Sequence, residues 1–160
     1  MAHIERAERP KEKKAAPTRE EVERAEADHS MRLRSDLTGL CEAALEGRLD
    51  TVSAEWDSRA ALGVVMAAAG YPEEVHKGDV IIGLDRAAAL PGKVFHAGTR
   101  MESGRVVTNG GRVLCAVGLG ASVSDAQAEA YGLVNSITWA GVQFRRDVGY
   151  RAIAREHAGS

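Results

Sequence analysis

Short apolar and β-branched runs separated by glycine-containing turns fill residues 52–119 and constrain this chain more than any other feature. Strands that follow one another so closely are typical of antiparallel pairing, because parallel strands need a long crossover between them. The strand-like runs are residues 62–66, 80–84, 93–96, 105–108 and 112–117, and the turns are residues 70–72, 77–79, 91–92, 102–104 and 109–111. The pattern therefore predicts a compact antiparallel sheet or a small barrel.

A helix is predicted on the N-terminal side of this region. Ser35 and Asp36 are a start signal, because short polar side chains accept hydrogen bonds from the first N–H groups of a helix. Gly47 can end the helix in the left-handed conformation. The apolar residues between them recur at helical spacing: Leu37, Leu40, Cys41, Ala44 and Leu45. We expect this apolar face to pack on another part of the molecule.

A second helix is predicted after the strand-like runs. Residues 124–127, Ser-Asp-Ala-Gln, have the spacing of a capping box. An apolar stripe at i, i+4, i+7, i+8 and i+11 follows: Ala126, Ala130, Leu133, Val134 and Ile137. A helix with such a stripe covers a sheet. The sequence thus predicts the α+β class, a small β-rich domain with flanking helices.

The first thirty residues differ in composition from the rest. They hold seven basic and eight acidic side chains, so half of the segment is charged. Such a segment buries too little apolar area to offset the entropy of ordering it, although Thr18 and Glu21 have the capping-box spacing of an exposed helix over residues 19–28. We expect a charged leader over residues 1–30, either a solvated tail or a partner-docking helix. One domain over residues 31–156 and a tail over 157–160 follow it.

Charge and hydropathy exclude several classes of protein. Lys plus Arg number 21 and Asp plus Glu number 23, and this net charge of −2 argues against a general binder of nucleic acid or anionic membranes. No apolar run approaches the roughly 20 residues of a membrane helix, and the start lacks the apolar stretch of a secretory signal. Cys41 and Cys115 lie far apart in apolar segments, which indicates buried thiols. We expect a cytoplasmic protein with no nucleic-acid or membrane partner.

No local motif indicates an enzyme. The five histidines are scattered, with no pair at metal-ligand spacing and no cysteine beside one of them. Neither a nucleophile elbow nor a phosphate-binding loop of the Walker type occurs. We therefore expect no catalytic residue and no metal site in this chain.

The turn at residues 108–112 is the first candidate binding site. Gly110 and Gly111 would let the backbone approach a ligand closely and aim N–H groups at an anion. Arg112 would add a bidentate guanidinium fork. Asn109 followed by Gly110 is, however, also the strongest short signal for a type I′ hairpin turn. Both interpretations stay open on the residues alone.

Two further places carry polar side chains after strand-like runs. His96 could act as an acid, a base or a ligand contact, or could be a hydrogen-bonded structural group. Arg145, Arg146 and Arg151 lie within seven residues and could bind a phosphate. Asp147 could orient one of these arginines, or an Arg–Asp pair could fix the C-terminal segment to the domain.

Taken in order, eight segments resemble the C-terminal domain of phosphoribosylamine–glycine ligase (glycinamide ribonucleotide synthetase), of the ATP-grasp superfamily. They are MRLRSDL at 31–37, EWD at 55–57, LGVVMAA at 62–68, GYP at 70–72, KGDVI at 77–81, KVFHAGT at 93–99, VTNGGRVL at 107–114 and RRDVGYRAI at 145–153. One such string alone would be weak. Eight in one order, over roughly four fifths of the chain, are specific.

The resemblance implies both an architecture and an activity. That family uses ATP to join glycine to phosphoribosylamine through glycyl phosphate, and it produces glycinamide ribonucleotide. Its C-terminal domain is a small β-rich unit related to barrel-sandwich hybrids, which packs against the N-terminal domain and frames the substrate side. Carried over to this sequence, the resemblance places the turn at residues 109–112 at the border of the ribonucleotide pocket, with Arg112 as the anion contact.

The chain departs from that family where the ATP chemistry resides. The sequence lacks the ATP-grasp lobes and the N-terminal domain, and residues 26–30 do not match the family's magnesium-binding segment. We therefore expect the chain alone to be inactive and to bind no cofactor, Mg-ATP being bound only in the full-length family enzyme. The expected partner is a chain that carries the ATP-grasp lobes. Alternatively, the domain is a free-standing binding module that associates with itself.

Overall fold

The computed structural model describes residues 30–158 of the chain. The helices named here are α1 (Leu37–Leu45), α2 (Leu84–Ala88), α3 (Val123–Ser136) and α4 (Tyr150–Ala158), and a 3₁₀ turn covers Leu49–Thr51. The strands are β1 (Ala60–Ala67), β2 (Lys93–His96), β3 (Thr99–Glu102), β4 (Arg105–Thr108), β5 (Arg112–Gly120) and β6 (Gln143–Phe144). The predicted helix over residues 19–28, and nearly all of the predicted leader, lie outside the described residues.

An antiparallel sheet in the order β2-β5-β1-β6 forms the centre of the domain. β1 and β5 run alongside each other from Ala60 opposite Gly120 to Met66 opposite Leu114. β6 has only two residues and pairs with β1 at Met66 and Ala67. Within the described part of the chain, the outer edge of the first half of β1 therefore has no strand beside it.

Helix α3 covers one face of this sheet with the predicted apolar stripe. All five stripe residues are buried, and none is more than 4% exposed. Val64 and Met66 of β1 and Leu114 and Ala116 of β5 belong to the same core. The prediction of one amphipathic helix lying over a sheet is confirmed.

The start of α3 lies directly on β5 because Gly118 and Gly120 of β5 have no side chain. A Cβ added at Gly118 would lie 2.3 Å from the Ala126 carbonyl oxygen, and one added at Gly120 would lie 2.4 Å from the Ala126 nitrogen. The cap of α3 is the pair Ser122 and Asp125, in which each side chain accepts a hydrogen bond from the backbone N–H of the other. The predicted box starting two residues later was wrong, because Ser122 is the residue with extended backbone.

A second, two-stranded sheet consists of β3 and β4, so the strands form two open sheets and the predicted α+β class is confirmed. The strands do not close into a barrel within residues 30–158. β3 lay outside the predicted runs because its sequence is polar and mostly exposed. The predicted run 80–84 is not a strand. Its residues Val80 and Ile82 each form one isolated bridge, to two different segments, and α2 begins at Leu84.

Helix α1 forms as predicted, but its apolar face is not covered by the rest of the described structure. Asp36 caps it by accepting hydrogen bonds from the Thr38 and Gly39 amides, both at 3.1 Å. Leu37 is 61% exposed and Leu45 89% exposed, and Leu49 of the following 3₁₀ turn is 57% exposed. The expectation that this face packs within the domain is therefore wrong for residues 30–158.

Two further predictions, on the cysteines and on membrane helices, can be compared with the structure. Cys41 lies on the uncovered helix α1 and is exposed, so the prediction of a buried thiol is wrong there, whereas Cys115 on β5 is half-buried. Neither cysteine forms a disulfide bond within the described residues. None of the helices in the described range is long and apolar enough to cross a membrane.

Candidate functional site

The loop at residues 109–112 connects two sheets and is not a hairpin turn. β4 pairs with β3, whereas β5 pairs with β1 and β2. Neither Gly110 nor Gly111 has the positive φ that a type I′ turn requires. The hairpin interpretation is therefore wrong. The Asn-Gly signal describes two adjacent residues, and the pairing of the flanking strands is decided by more distant parts of the chain.

Gly111 of this loop and Gly98 beside it are required by close contacts within the chain itself. A Cβ added at Gly98 would lie 2.5 Å from the Arg112 carbonyl oxygen and 2.8 Å from the Gly110 Cα. A Cβ added at Gly111 would lie 2.4 Å from the ring of Tyr71. The Asn109 amide donates to the Gly98 carbonyl at 2.7 Å. The loop is therefore tightly packed before any ligand is considered.

The polar side chains around the loop are Asn109, Arg112 and one residue that the sequence reasoning missed. Asn109 is exposed, and its Oδ1 accepts a hydrogen bond from Arg100 at 3.3 Å. Asp79 is bound to buried Thr108 through its backbone, and its Oδ2 is buried without a hydrogen-bond partner in the described residues. A buried carboxylate oxygen is normally satisfied, so Asp79 is a candidate contact for a ligand donor. The sequence signal that could have pointed to Asp79 was the Lys-Gly-Asp turn at residues 77–79.

His96 ends β2 on the exposed side of the central sheet. Its Nδ1 lies 3.1 Å from the Thr99 hydroxyl, within hydrogen-bond distance. This contact is the kind that the structural interpretation of His96 requires. A role in ligand contact stays a prediction.

Arg145 and Asp147 lie in the loop that joins β6 to α4. Arg145 Nε and Nη2 donate to the two Asp147 carboxylate oxygens at 3.0 and 2.9 Å. The guanidinium holds the pKa of the Asp147 carboxyl below its usual range. Because both side chains are exposed, the pair contributes little to stability. The predicted pair is therefore present, but it is local and does not by itself fix the C-terminal segment.

Two side chains of α3 fix this loop instead. The Tyr131 hydroxyl donates to the Arg145 carbonyl at 2.7 Å and accepts from the Val148 amide at 3.2 Å. Gln127 Nε2 donates to the Val148 carbonyl at 2.6 Å. The sequence reasoning missed both residues. Their i, i+4 spacing puts them on one side of α3 and was the available signal.

A cleft of about 450 Å³ lies between this loop, the open edge of β1 and helix α4. Arg145, Arg151 and Arg155 line it together with Asp147, and we call it the arginine cleft. Arg146 is not among the lining residues, and its guanidinium stacks 5.1 Å from the centroid of the Phe144 ring.

The two predicted sites lie at opposite ends of β1. The loop end is where Arg112 is opposite Ala67, and the cleft end is lined by residues 61–63. The structure thus brings Arg145, Asp147 and Arg151 together, adds Arg155, and separates them from residues 109–112. Within residues 30–158 no group of three or more His, Cys, Asp or Glu could hold a metal ion. The fold defines a small α+β domain with a tightly packed loop at one end of β1 and a cleft at the other.

Comparison with known proteins identifies the family. The sequence model described as "Phosphoribosylglycinamide synthetase, C domain" matches residues 61–151, and the chain belongs to this family. The phosphoribosylamine–glycine ligase of Pseudomonas putida is 58% identical over 126 residues, which cover 79% of this chain and 29% of that enzyme. The Vibrio cholerae ligase is 57% identical over 128 residues, which cover 80% and 30%.

A solved structure agrees with this assignment. The crystal structure of phosphoribosylamine–glycine ligase from Thermotoga maritima matches with 36% identity and a TM-score of 0.53, over 68% of this chain and 27% of that chain. The resemblance inferred from the eight segments is confirmed. The chain spans about three tenths of the length of the curated relatives that it matches.

The similarity to these ligases extends beyond the C domain proper. Any stretch of 126 residues within a chain of 160 must include residues 35–126. It therefore includes α1, which lies before the matched C domain at residues 61–151. The uncovered helix is thus a segment that the full-length ligases share.

Proposed function

We propose that this chain works as the C domain of a phosphoribosylamine–glycine ligase, in an assembly with a polypeptide that carries the ATP-grasp lobes. The complete enzyme would use ATP to join glycine to phosphoribosylamine in purine biosynthesis in the cytoplasm. The lobes would bind Mg-ATP, and this chain would bind no cofactor and be inactive on its own. The same proposal includes that the fold of this domain is related to barrel-sandwich hybrids.

The uncovered face of α1 is the observation that carries the proposal. Leu37 and Leu45 of α1, and Leu49 of the 3₁₀ turn that contacts this helix, are each more than half exposed, and large exposed apolar residues on neighbouring elements often mark an interface. These leucines lie in a segment that the full-length ligases share and that precedes the C domain. A polypeptide with the ATP-grasp lobes would cover them.

The loop at residues 109–112 would then border the ribonucleotide pocket. Arg112 would contact an anionic group of the substrate, and Asn109 would present a side-chain amide beside it. Asp79 would accept a hydrogen bond from the ligand through its buried Oδ2, which supports placing the pocket on this side of the domain. Gly110 and Gly111 would serve the packing of the loop.

Complementation in trans tests the proposal. The Pseudomonas putida ligase, truncated to remove its C domain, is mixed with increasing amounts of this chain, and ADP formation is followed with glycine and phosphoribosylamine. We expect activity that rises and saturates with the amount of chain. Activity at the background level over the whole concentration range would reject the proposal.

A matched pair of variants tests the role of α1. Leu45→Ser removes an apolar side chain from the uncovered face, and Met101→Ser removes one of similar size from exposed β3. We expect Leu45→Ser to raise the concentration of chain needed for half-maximal activity about tenfold, as for an interface residue worth about 1.4 kcal/mol. Met101→Ser should leave that concentration unchanged.

A free-standing module that associates with itself is the second candidate, and the same face favours it. Two copies could bury Leu37, Leu45 and Leu49 against each other. Sedimentation velocity separates the candidates. A dimer that Leu45→Ser dissociates, together with no activity in trans, would support the module. A monomer at high concentration that restores ADP formation would reject it.

A further inference from the structure

The side chain of Asn109 is a chemically reactive group on the surface of the loop. An asparagine followed by glycine can lose its side-chain amide, because the backbone nitrogen of the next residue attacks the side-chain carbonyl carbon and glycine has no Cβ to obstruct it. In a folded chain this reaction requires an exposed side chain and a backbone nitrogen that is not held elsewhere. The chain has two asparagines, Asn109 and Asn135, and the structure places them in different surroundings.

The reacting groups at Asn109 are not part of the close contacts of the loop. The Asn109 side chain is exposed, and the Gly110 N–H donates to no hydrogen bond within residues 30–158. The tight packing involves other atoms. The Gly98 carbonyl accepts from the backbone amide of Asn109, and the Cα of Gly111 faces an aromatic ring. The side-chain amide of Asn109 and the nitrogen of Gly110 are therefore available to each other.

Arg100 supplies a group that favours the attack. Its Nη1 donates to Asn109 Oδ1 at 3.3 Å, and its Nη2 donates to Glu102 Oε2 at 2.7 Å, which holds the guanidinium beside the loop. Negative charge grows on the carbonyl oxygen when a nucleophile adds to its carbon, and a cationic donor at that oxygen stabilises this charge. The guanidinium of Arg100 thus lies where the oxyanion would form.

Asn135 is exposed like Asn109 but lies inside a helix. The residue after it, Ser136, still belongs to α3, where each backbone N–H donates to the carbonyl four residues before it. Ser136 also has a Cβ, which obstructs its nitrogen. The chain therefore contains an internal control for the chemistry at Asn109.

We propose that Asn109 is a site of spontaneous deamidation in the folded chain, promoted by Arg100. The Gly110 nitrogen bonds to Asn109 Cγ, the Cγ–Nδ2 bond breaks, and ammonia leaves with the proton of the Gly110 N–H. Water then opens the succinimide ring at either of its carbonyls, which gives aspartate or isoaspartate. Either product places a carboxylate beside Arg100. The proposal does not depend on the function proposed above, because solvent water is the co-reactant.

Peptide mapping of the full chain, incubated at mildly alkaline pH, tests the proposal. Trypsin releases Asn109 in the peptide 106–112 and Asn135 in the peptide 113–145. We expect the first peptide to gain about 1 Da, with both aspartate and isoaspartate at position 109, while the second keeps its mass. The rate should rise with pH, because the attacking nitrogen must lose its proton.

Substitutions separate the contributions of the two neighbours. Gly110→Ala should slow the reaction about tenfold, because a Cβ obstructs the nitrogen. Its φ is not positive and the added Cβ would lie 3.2 Å from the Gly98 Cα, so the variant is expected to fold. Arg100→Gln should slow the reaction roughly threefold, less than the loss of a buried oxyanion donor, because the hydrogen bond is long and exposed.

Two controls isolate the contact of Arg100 with Asn109. Arg105→Gln removes the same charge at the other end of β4, and the rate, measured on the peptide 101–112, should equal that of the parent chain. In urea, the effect of Arg100→Gln should disappear, because the unfolded chain does not hold the guanidinium at Oδ1.

Three results would overturn the proposal. An unchanged mass of the peptide 106–112 in the folded chain, with a gain in mass in urea, would show that the fold protects Asn109. Aspartate without isoaspartate, or an unchanged rate in Gly110→Ala with its fold verified by circular dichroism, would show hydrolysis by water without attack by Gly110. Equal slowing by Arg100→Gln and Arg105→Gln would show that overall charge is responsible.

Discussion

An arginine-containing motif lies at each end of β1, and the two motifs differ in how closely their residues are packed and hydrogen-bonded within the domain. At the loop end, Gly98 and Gly111 are glycines because backbone or an aromatic ring lies where a Cβ would be, and the Asn109 amide is bonded. At the cleft end, Arg151 and Arg155 each have only Nε hydrogen-bonded within residues 30–158. A glycine-rich string is thus explained by packing, whereas the scattered arginines keep donors available to a ligand.

This difference predicts different consequences of substitution. Changes at the loop end should lower the free energy of unfolding, because the residues there are in close contact with backbone. Changes of the cleft arginines should cause little loss of stability, because these side chains are exposed. The predictions below test this contrast, beginning with the largest effect.

Gly98→Ala should cause the largest loss of stability. The added methyl group would lie 2.5 Å from one backbone oxygen and 2.8 Å from a Cα atom, and neither can rotate away as a side chain could. We expect the free energy of unfolding to fall by about 3 kcal/mol, at the upper end of overpacking effects. Urea denaturation followed by circular dichroism measures it.

Gly132→Ala on α3 is the matched control for this substitution. Nothing lies within 4 Å of the Cβ position at Gly132, and the residue is inside a helix. We expect a gain of about 1 kcal/mol from the higher helix propensity of alanine. If Gly98→Ala were as stable as the parent chain, the loop end would not be the rigid end of β1.

Tyr131→Phe should have an intermediate effect. The substitution removes the donor to the Arg145 carbonyl and the acceptor of the Val148 amide. We expect a loss of about 1–2 kcal/mol, since two backbone groups of the loop lose their partner. Tyr150→Phe, whose hydroxyl contacts only an exposed arginine, should cost about 0.5 kcal/mol or less. Equal losses in both variants would mean that Tyr131 does not fix the loop.

The core of the fold was predictable from local patterns, and the cleft was not. The stripe on α3 and the strand runs at β1, β2, β4 and β5 are short patterns of apolar residues that extend over a few helical turns or a few strand residues. Each element packs against one neighbouring layer, and this packing requires the pattern, so the pattern is visible in the sequence. Of the two interpretations left open at Asn109, the hairpin is wrong because strand pairing depends on distant segments, here β3 for one side of the loop and β1 for the other.

The cleft depends on features that no short pattern contains. Tyr131 and Arg155 lie 24 positions apart in the sequence, and only the antiparallel return through β6 brings their segments together. The short length of β6 opens the edge of β1, and its two residues gave no sign of where pairing would stop. The same limitation applied to α1, whose start and end signals were correct but whose apolar face is not covered by any other part of residues 30–158.

The smallest predicted effect concerns the Arg145–Asp147 pair and its dependence on pH. The pKa of Asp147 is lowered in the folded chain, first by the hydrogen bonds from Arg145. The pair therefore stabilises the fold fully above the unfolded pKa of about 3.9, and this contribution is lost as the pH falls through the lower folded value. Asp147→Asn should be slightly less stable than the parent chain at pH 6, and the difference should shrink as the pH is lowered below the unfolded pKa. Urea midpoints measured over this pH range test it. A difference that persisted at low pH would show that Asp147 acts through the shape of the loop, and the cleft end would then be as rigid as the loop end.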